Sequence, residues 1–392
     1  MLKVALDIHQ ILMLKNKIYK YLFNEIFKNF ITILLTFTAI AWVVRAVNFL
    51  DLMVLDGYSS NIYLQYSILN ITTIITRFIP LAFLLSLTIS IIKFERQQEL
   101  LILWTSGLNK IKITNIFILI AFFVTVLQIV LSFFVNPFLL NKSRALLSNT
   151  ESLQINSVLK SNDFSDSFED ITFYIEDKSV NNELINIFIK DSSGNLGTLV
   201  QESSEKKSST IIAKKGFIDN NKLILYDGII QTINKKNEYK NIIFEKTELT
   251  LLNISGRAVR QPKVQETSSN ILLRCIFSKN NNLNLINCPK KDYKGEAIQT
   301  LSRRLGSPLY IPLITVIISF LLIYKKEKKY NFLKKYTLFI LSFIMLILSE
   351  IILKYTSLSL LVAISYFALP LIISLLFYVY LVKKITTERI VK

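Results

Sequence analysis

ITNIFILIAFFVTVLQIVLSFFV, residues 113–135, decides how this chain must fold. The stretch carries no charge, and a helix of that length rises far enough, at 1.5 Å per residue, to cover a hydrocarbon core of roughly 30 Å. Asn136-Pro137 follows as a stop signal. Five further stretches read the same way: about Phe30–Phe49, Ile62–Ile92, Leu305–Tyr324, Tyr336–Ile352 and Leu358–Val382. The Ile62–Ile92 stretch is too long for one straight crossing and carries Pro80, which predicts a kink, a tilt or a projecting end. At 52% the hydrophobic content exceeds the roughly 45–50% of ordinary soluble chains, and here it is gathered into blocks. Six membrane-spanning helices are therefore expected.

The short loops orient them. Lys15, Lys17, Lys20 and Lys28 precede span one, and Lys93, Arg96, Lys110 and Lys112 join spans two and three. Lys325, Lys326, Lys328, Lys329, Lys334 and Lys335 join spans four and five, and Lys383, Lys384 and Arg389 follow span six. The loop Asp51–Asn61, after span one, has no basic residue. All four basic sites fall on one side if there are six crossings with both termini in the cytoplasm. The net charge of +18 is then a membrane-topology signature, and nucleic acid is not expected as a partner. The N-terminus does not read as a cleavable signal, because its first apolar run follows a basic and polar stretch. The expected organisation is a cytoplasmic N-terminal segment 1–28, helices one to three over 29–136, an outer domain over 137–300, helices four to six over 301–382 and a cytoplasmic tail 383–392.

The outer domain reads as all-β. Short apolar or alternating runs lie at 173–175, 184–189, 210–213, 223–226, 229–233 and 242–244, separated by polar and turn residues. Asp227-Gly228 between two of them is a hairpin signal. Six short strands without intervening helices predict a sandwich or jelly roll, with helix confined to the domain's edges near 141–149 and 269–277. Cys275 and Cys288 both fall on this outer side, where a disulfide is permitted; they form a bridge closing a short loop, or remain two thiols.

No hydrolytic or redox constellation is present. His9, the one histidine, lies in the N-terminal segment, and no metal site or cofactor is expected. Nothing matches the Gly-x-x-x-x-Gly-Lys-Ser/Thr phosphate loop, so any ATP must be hydrolysed by a partner. The loop between spans two and three, FERQQELLILWTSGLNK over 94–110, is more informative. It predicts a short helix over Glu95–Thr105, with Arg96 and Glu99 at its front, Trp104 in its apolar body and Gly107 at its stop. Such a helix either docks into a groove on a soluble partner, where Glu99 would meet an arginine, or lies passively on lipid. A second group breaks the inside-positive bias: Arg45 near the outer end of span one, Arg303 and Arg304 at the outer start of span four, and Lys354 beyond span five. Cations at outer-leaflet level suit a phosphorylated amphiphile, or simply snorkel to headgroups. Arg77, deep in span two, has Glu350 as a candidate partner.

The order of these features resembles the LptF/LptG permeases of lipopolysaccharide export. Phe78-Ile79-Pro80-Leu81 looks like that family's apolar-Pro-Leu segment, and Glu99 through Gly107-Leu108-Asn109-Lys110 like its coupling-helix motif. Ile211–Gly216 followed by Leu225–Gly228 is similar to paired strands of its periplasmic β-jellyroll, and Leu301–Leu305 to the basic entry of its fourth span. The coupling-helix and span-four sequences are closer to the LptF-type subunit. The resemblance implies six transmembrane helices with a periplasmic all-β jellyroll-like domain inserted between helices three and four, in the bacterial inner membrane. It implies a permease, not an enzyme, that extracts lipopolysaccharide from the outer leaflet. The partners it implies are a second permease subunit, a cytoplasmic ABC ATPase dimer and periplasmic jellyroll bridge proteins. By the same resemblance Glu99, Arg96, Trp104 and Gly107 couple to the ATPase, while Arg45, Arg303 and Arg304 meet lipid phosphate. The family's second cavity cation after Arg45 stands here as Asn48, and the segment from Met1 to about Leu14 departs from the pattern. The competing reading is a membrane receptor whose outer β domain binds a ligand. It lacks a cytoplasmic output module, since the inner loops are short and basic.

Overall fold

The computed structural model describes residues 2–54, 58–151, 161–168, 171–179, 183–192, 206–219, 222–234, 239–250, 263–277, 293–323 and 328–390. In chain order the helices are α1 (Leu2–Asn48), α2 (Asp51–Val54), α3 (Ser60–Leu69), α4 (Ile71–Arg96), α5 (Glu99–Thr105), α6 (Lys110–Val130) and α7 (Asn136–Glu151). After the strands come α8 (Ser269–Phe277), α9 (Tyr293–Leu301), α10 (Tyr310–Ser319), α11 (Lys328–Tyr355) and α12 (Leu360–Ile390). Among the described residues six stretches are long and apolar enough to cross a membrane: Lys17–Met53, Ser60–Arg96, Lys110–Leu147, Lys294–Leu322, Lys335–Tyr355 and Leu360–Thr387. Each overlaps one of the expected spans, and four contain it whole.

The chain forms two compact units: Met1–Val43, Asn70–Leu139 and Lys263–Lys392 make the first, Val44–Leu69 and Leu140–Pro262 the second. The core of the first runs through α1, α4, α6 and α10, with Ile26, Ile79, Phe83, Phe94, Phe117 and Ile314 all closed to solvent. α10 is buried at every residue but Pro312, as expected of a central helix, whereas α11 and α12 keep broad apolar faces open, as lipid-facing helices do.

The expected stop after span three is not a stop. Pro137 does not end span three: a π-turn over Leu131–Val135 carries the chain into α7, whose second residue is that proline. A proline in the first helical turn has no N–H to leave unsatisfied, so it continues the path. In the second span, one break falls at Asn70, between α3 and α4. There the Thr73 N–H and hydroxyl both bond the Asn70 carbonyl, and Pro80 sits inside α4.

The strands are β1 (Asp163–Phe168), β2 (Ile171–Lys178), β3 (Glu183–Asp191), β4 (Lys206–Asp219), β5 (Lys222–Asn234) and β6 (Tyr239–Thr250). They pair antiparallel in strict chain order, β1-β2-β3-β4-β5-β6, as one meander sheet. The two-sheet arrangement of a jelly roll is not among the described residues. One face is buried, and its core among the described residues is made of sheet residues such as Phe173, Leu184, Ile189, Leu225 and Leu249. Across the other face runs a single register row, Phe164–Tyr174–Phe188–Ile212–Ile229–Ile243, apolar on all six strands. Phe164, Ile212, Ile229 and Ile243 in that row are exposed.

The Asp227-Gly228 hairpin is corrected: β5 passes straight through it. Tyr226 stays opposite Lys215 and Gly228 opposite Ala213, so the register does not slip. Asp227 does enter the left-handed region at φ 49, as does Asn186 at φ 50, and in both the flanking residues keep their pairing. Asparagine and aspartate tolerate that region, and long strands on either side hold the chain extended beyond it. Gly228 is a packing requirement: a Cβ there would lie 2.4 Å from the Ile212 carbonyl oxygen and 2.4 Å from the Phe244 ring.

Candidate functional site

The loop between α4 and α6 builds a rigid two-sided turn. The sequence reading put one helix over Glu95–Thr105, but Glu95 and Arg96 close α4, and α5 begins afresh at Glu99. The break comes from Gln98 at φ 60, a left-handed residue that redirects the chain without a spacer. At the other end the Leu108 N–H bonds the Leu103 carbonyl at 3.1 Å and the Gly107 N–H bonds the Trp104 carbonyl at 3.2 Å. This is a Schellman stop, and it requires the φ of +84 that Gly107 supplies. Asn109 then caps α6, its side-chain oxygen accepting from the Ile111 N–H at 3.2 Å. Gly-Leu-Asn is thus a helix stop fused to a helix start.

On α5, Leu100 is buried, and Leu103 and Trp104 pack on the core. Leu101 and Ile102 point out at 58% and 61% exposure. A seven-residue helix with a buried edge and two exposed aliphatics offers a short apolar ridge to whatever approaches. The Tyr21 hydroxyl donates to Glu99 Oε1 at 3.1 Å, and the Lys110 ammonium lies over the Trp104 ring at 5.8 Å. Arg96 is exposed, and Glu95 pairs with Lys335 of α11 at 2.7 Å.

The basic residues separate into three situations. Arg304 is 6% exposed and is consumed by the protein: its guanidinium donates to Ser269 Oγ at 2.6 Å, to the Gln265 carbonyl at 2.8 Å and to the Thr267 carbonyl at 3.0 Å. Its own carbonyl accepts from Ser132 Oγ at 2.8 Å, and Ser269 Oγ donates on to the Phe133 carbonyl at 2.7 Å. Two π-turns, Leu131–Val135 and Ser302–Gly306, are joined this way. A π-turn loosens its own i→i−4 bonding, so the freed carbonyls need such external donors. Arg304, expected to face a lipid phosphate, has its desolvation met by these protein acceptors. Arg303 stays open, 38% exposed by side chain, with Glu350 at 4.0 Å; Glu350, offered above as a partner for Arg77, faces Arg303. Arg45 is half-buried near the end of α1, within the second unit.

Cys275 in α8 is disulfide-bonded, and Cys288 lies outside the described residues, as do Lys325 and Lys326. Sequence reasoning missed Tyr21, Glu25, Asn29 and Ser269, whose roles depend on which helix lies opposite.

Two comparisons bear on what this arrangement is for. The family described as lipopolysaccharide export system permease LptF/LptG matches residues 20–384, nearly the whole chain. No curated protein matches it.

Proposed function

This chain belongs to the LptF/LptG family of lipopolysaccharide export permeases, and we propose that it is the LptF-type subunit of an ABC-type exporter in the bacterial inner membrane. It takes lipopolysaccharide from the outer leaflet and passes it towards a periplasmic bridge. A second permease subunit of the same family completes the transmembrane body, and a separate cytoplasmic ATPase dimer drives it. The β domain lies in the periplasm and, with the partner jellyrolls, forms the exit path. That reading follows the family match, and it accords with the basic inner loops and with a disulfide-bonded Cys275 on the outer side.

The observation that carries the coupling role is the turn at 97–109. A short helix held between a left-handed residue and a Schellman stop presents Leu101, Ile102 and Glu99 from a fixed base. Rigid presentation is what a force-transmitting contact needs. Arg45 and Arg303, the cations not fully enclosed by protein, are the ones assigned to headgroup phosphate. Arg304 is assigned to holding the start of span four in place.

In a reconstituted complex, Glu99→Ala should abolish ATP-driven release of lipopolysaccharide while leaving the chain inserted and assembled. Unchanged release would sink the role of Glu99. Isolation in mild detergent with mass spectrometry should return an ATPase, a related permease and lipopolysaccharide. Their absence would overturn the exporter itself.

A further inference from the structure

We infer that the inner half of span one is latched to the docking helix by a polar seam, and that Tyr21 is the positioning residue through which the docking helix and span one move together; this rests on the permease reading above. Along α1, apolar residues recur at Leu22, Ile26 and Phe30, all at most 1% exposed, and enter the core. Displaced by one residue, Tyr21, Glu25 and Asn29 repeat at the same four-residue spacing, which places them on one face beside the apolar stripe.

Each meets a partner on the antiparallel strand of chain that ends in the docking turn. Tyr21 donates to Glu99 Oε1 at 3.1 Å, Glu25 accepts from the Lys93 ammonium, and Asn29 Nδ2 donates to Ser90 Oγ at 2.9 Å. Ser86 Oγ adds a bond to the Ile26 carbonyl at 2.8 Å. The seam is graded. The Ser86 bond is buried and the Asn29–Ser90 bond part-buried, whereas Lys93 is 42% exposed by side chain and Tyr21 46% exposed. The more buried contacts therefore fasten α1 to α4 more firmly than the exposed one does. The outermost one, to the first residue of α5, is the contact that a partner engaging Glu99 can exchange. Glu99 thus has two claimants, the tyrosine hydroxyl of its own chain and a cation brought from outside. Span one, which further along carries Arg45, follows whichever holds it.

The test compares Tyr21→Phe with Tyr19→Phe in the full reconstituted complex, reading lipopolysaccharide released per ATP hydrolysed and backbone hydrogen exchange across 99–105. Tyr21→Phe keeps the ring and removes only the donor. The expected result is a drop of roughly threefold or more in lipid per ATP, the loss of one bond to a charged group at a partly exposed site. Faster exchange in the docking helix and an unchanged melting temperature should accompany it, with Tyr19→Phe like wild type. A second arm reverses charge: Glu25→Lys and Lys93→Glu should each impair coupling, and the two together should restore it. Lipid per ATP equal to wild type in Tyr21→Phe overturns the seam. So does a loss that merely tracks a lowered melting temperature, or a charge swap without rescue. A wild-type complex that releases no lipid on ATP addition overturns the exporter reading instead. The seam is then decided by exchange alone, and unaltered exchange in Tyr21→Phe rejects it.

Discussion

Arg304→Ala removes a guanidinium from three acceptors at once, Ser269 Oγ and the Gln265 and Thr267 carbonyls. Bonds to a charged group contribute about 1.5–3 kcal/mol each and are not additive, so a loss of roughly 3 kcal/mol is expected, seen as a lowered melting temperature of the purified protein. Arg303→Ala, whose pairing with Glu350 at 4.0 Å is open to solvent, should leave that temperature nearly unchanged and instead weaken lipopolysaccharide binding. The glycines divide in a similar way. Gly107→Ala meets nothing within 4 Å but must hold φ +84, which costs about 1 kcal/mol and should appear as faster exchange at the end of the docking helix. Gly228→Ala meets a backbone oxygen and a ring at 2.4 Å, neither able to yield cheaply. It should cost about 1–3 kcal/mol, read as lower thermal stability of the sheet domain, although the local conformation is ordinary.

Among the elements, α5 separates stability from association. Leu101→Ala and Ile102→Ala remove side chains already more than half exposed, so melting should shift little, within about 0.5 kcal/mol. The same two changes should reduce the amount of ATPase that co-purifies with the chain; full retention of the ATPase would remove α5 from the docking surface. Leu100→Ala, by contrast, empties a buried position and should lower stability by about 2–5 kcal/mol. The two π-turns belong to this scale as well. Each widens a helix near the end of a span, and Ser132, Ser269 and Arg304 form the bonds that make the widening affordable. In the sheet, the apolar row from Phe164 to Ile243 lies across every strand of the solvent face, so it stabilises strand pairing through cross-strand contact while remaining open.

For the whole molecule the decisive quantity is orientation. If both termini are cytoplasmic, a cysteine introduced at Ser60, between the first two spans, should react with a membrane-impermeant reagent added to intact spheroplasts. One introduced at Ser106, beyond the docking helix, should react only after lysis, with both native cysteines replaced in each case. The reverse pattern would place the basic loops outside and end the exporter reading. The six spans were legible because a bilayer demands about 20 apolar residues in a row, a signal carried by local composition. The docking turn was nearly as legible, since Gly107 and Asn109 are local punctuation. Its start was placed four residues early because nothing in Glu95–Gln98 announces that Gln98 turns left-handed.

What the sequence determined by itself is whatever depends on neighbours along the chain: the number of long apolar helices, the alternation of the strands and the stop at Gly107. The tertiary structure decided everything that depends on what lies opposite. Arg303 and Arg304 are adjacent and chemically identical, yet one is open and the other enclosed, because only the second meets Ser269 and the carbonyls at 265 and 267. Asp227-Gly228 has the composition of a turn and lies in a strand, because β4 and β6 hold it from both sides and Phe244 leaves no room for a Cβ. Tyr21, Glu25 and Asn29 repeat every four residues in plain view, but the pattern acquires meaning only when Glu99, Lys93 and Ser90 are brought against it. Local propensity selects helix, strand and cap; desolvation and packing decide which polar groups are consumed inside the fold and which are left free to act.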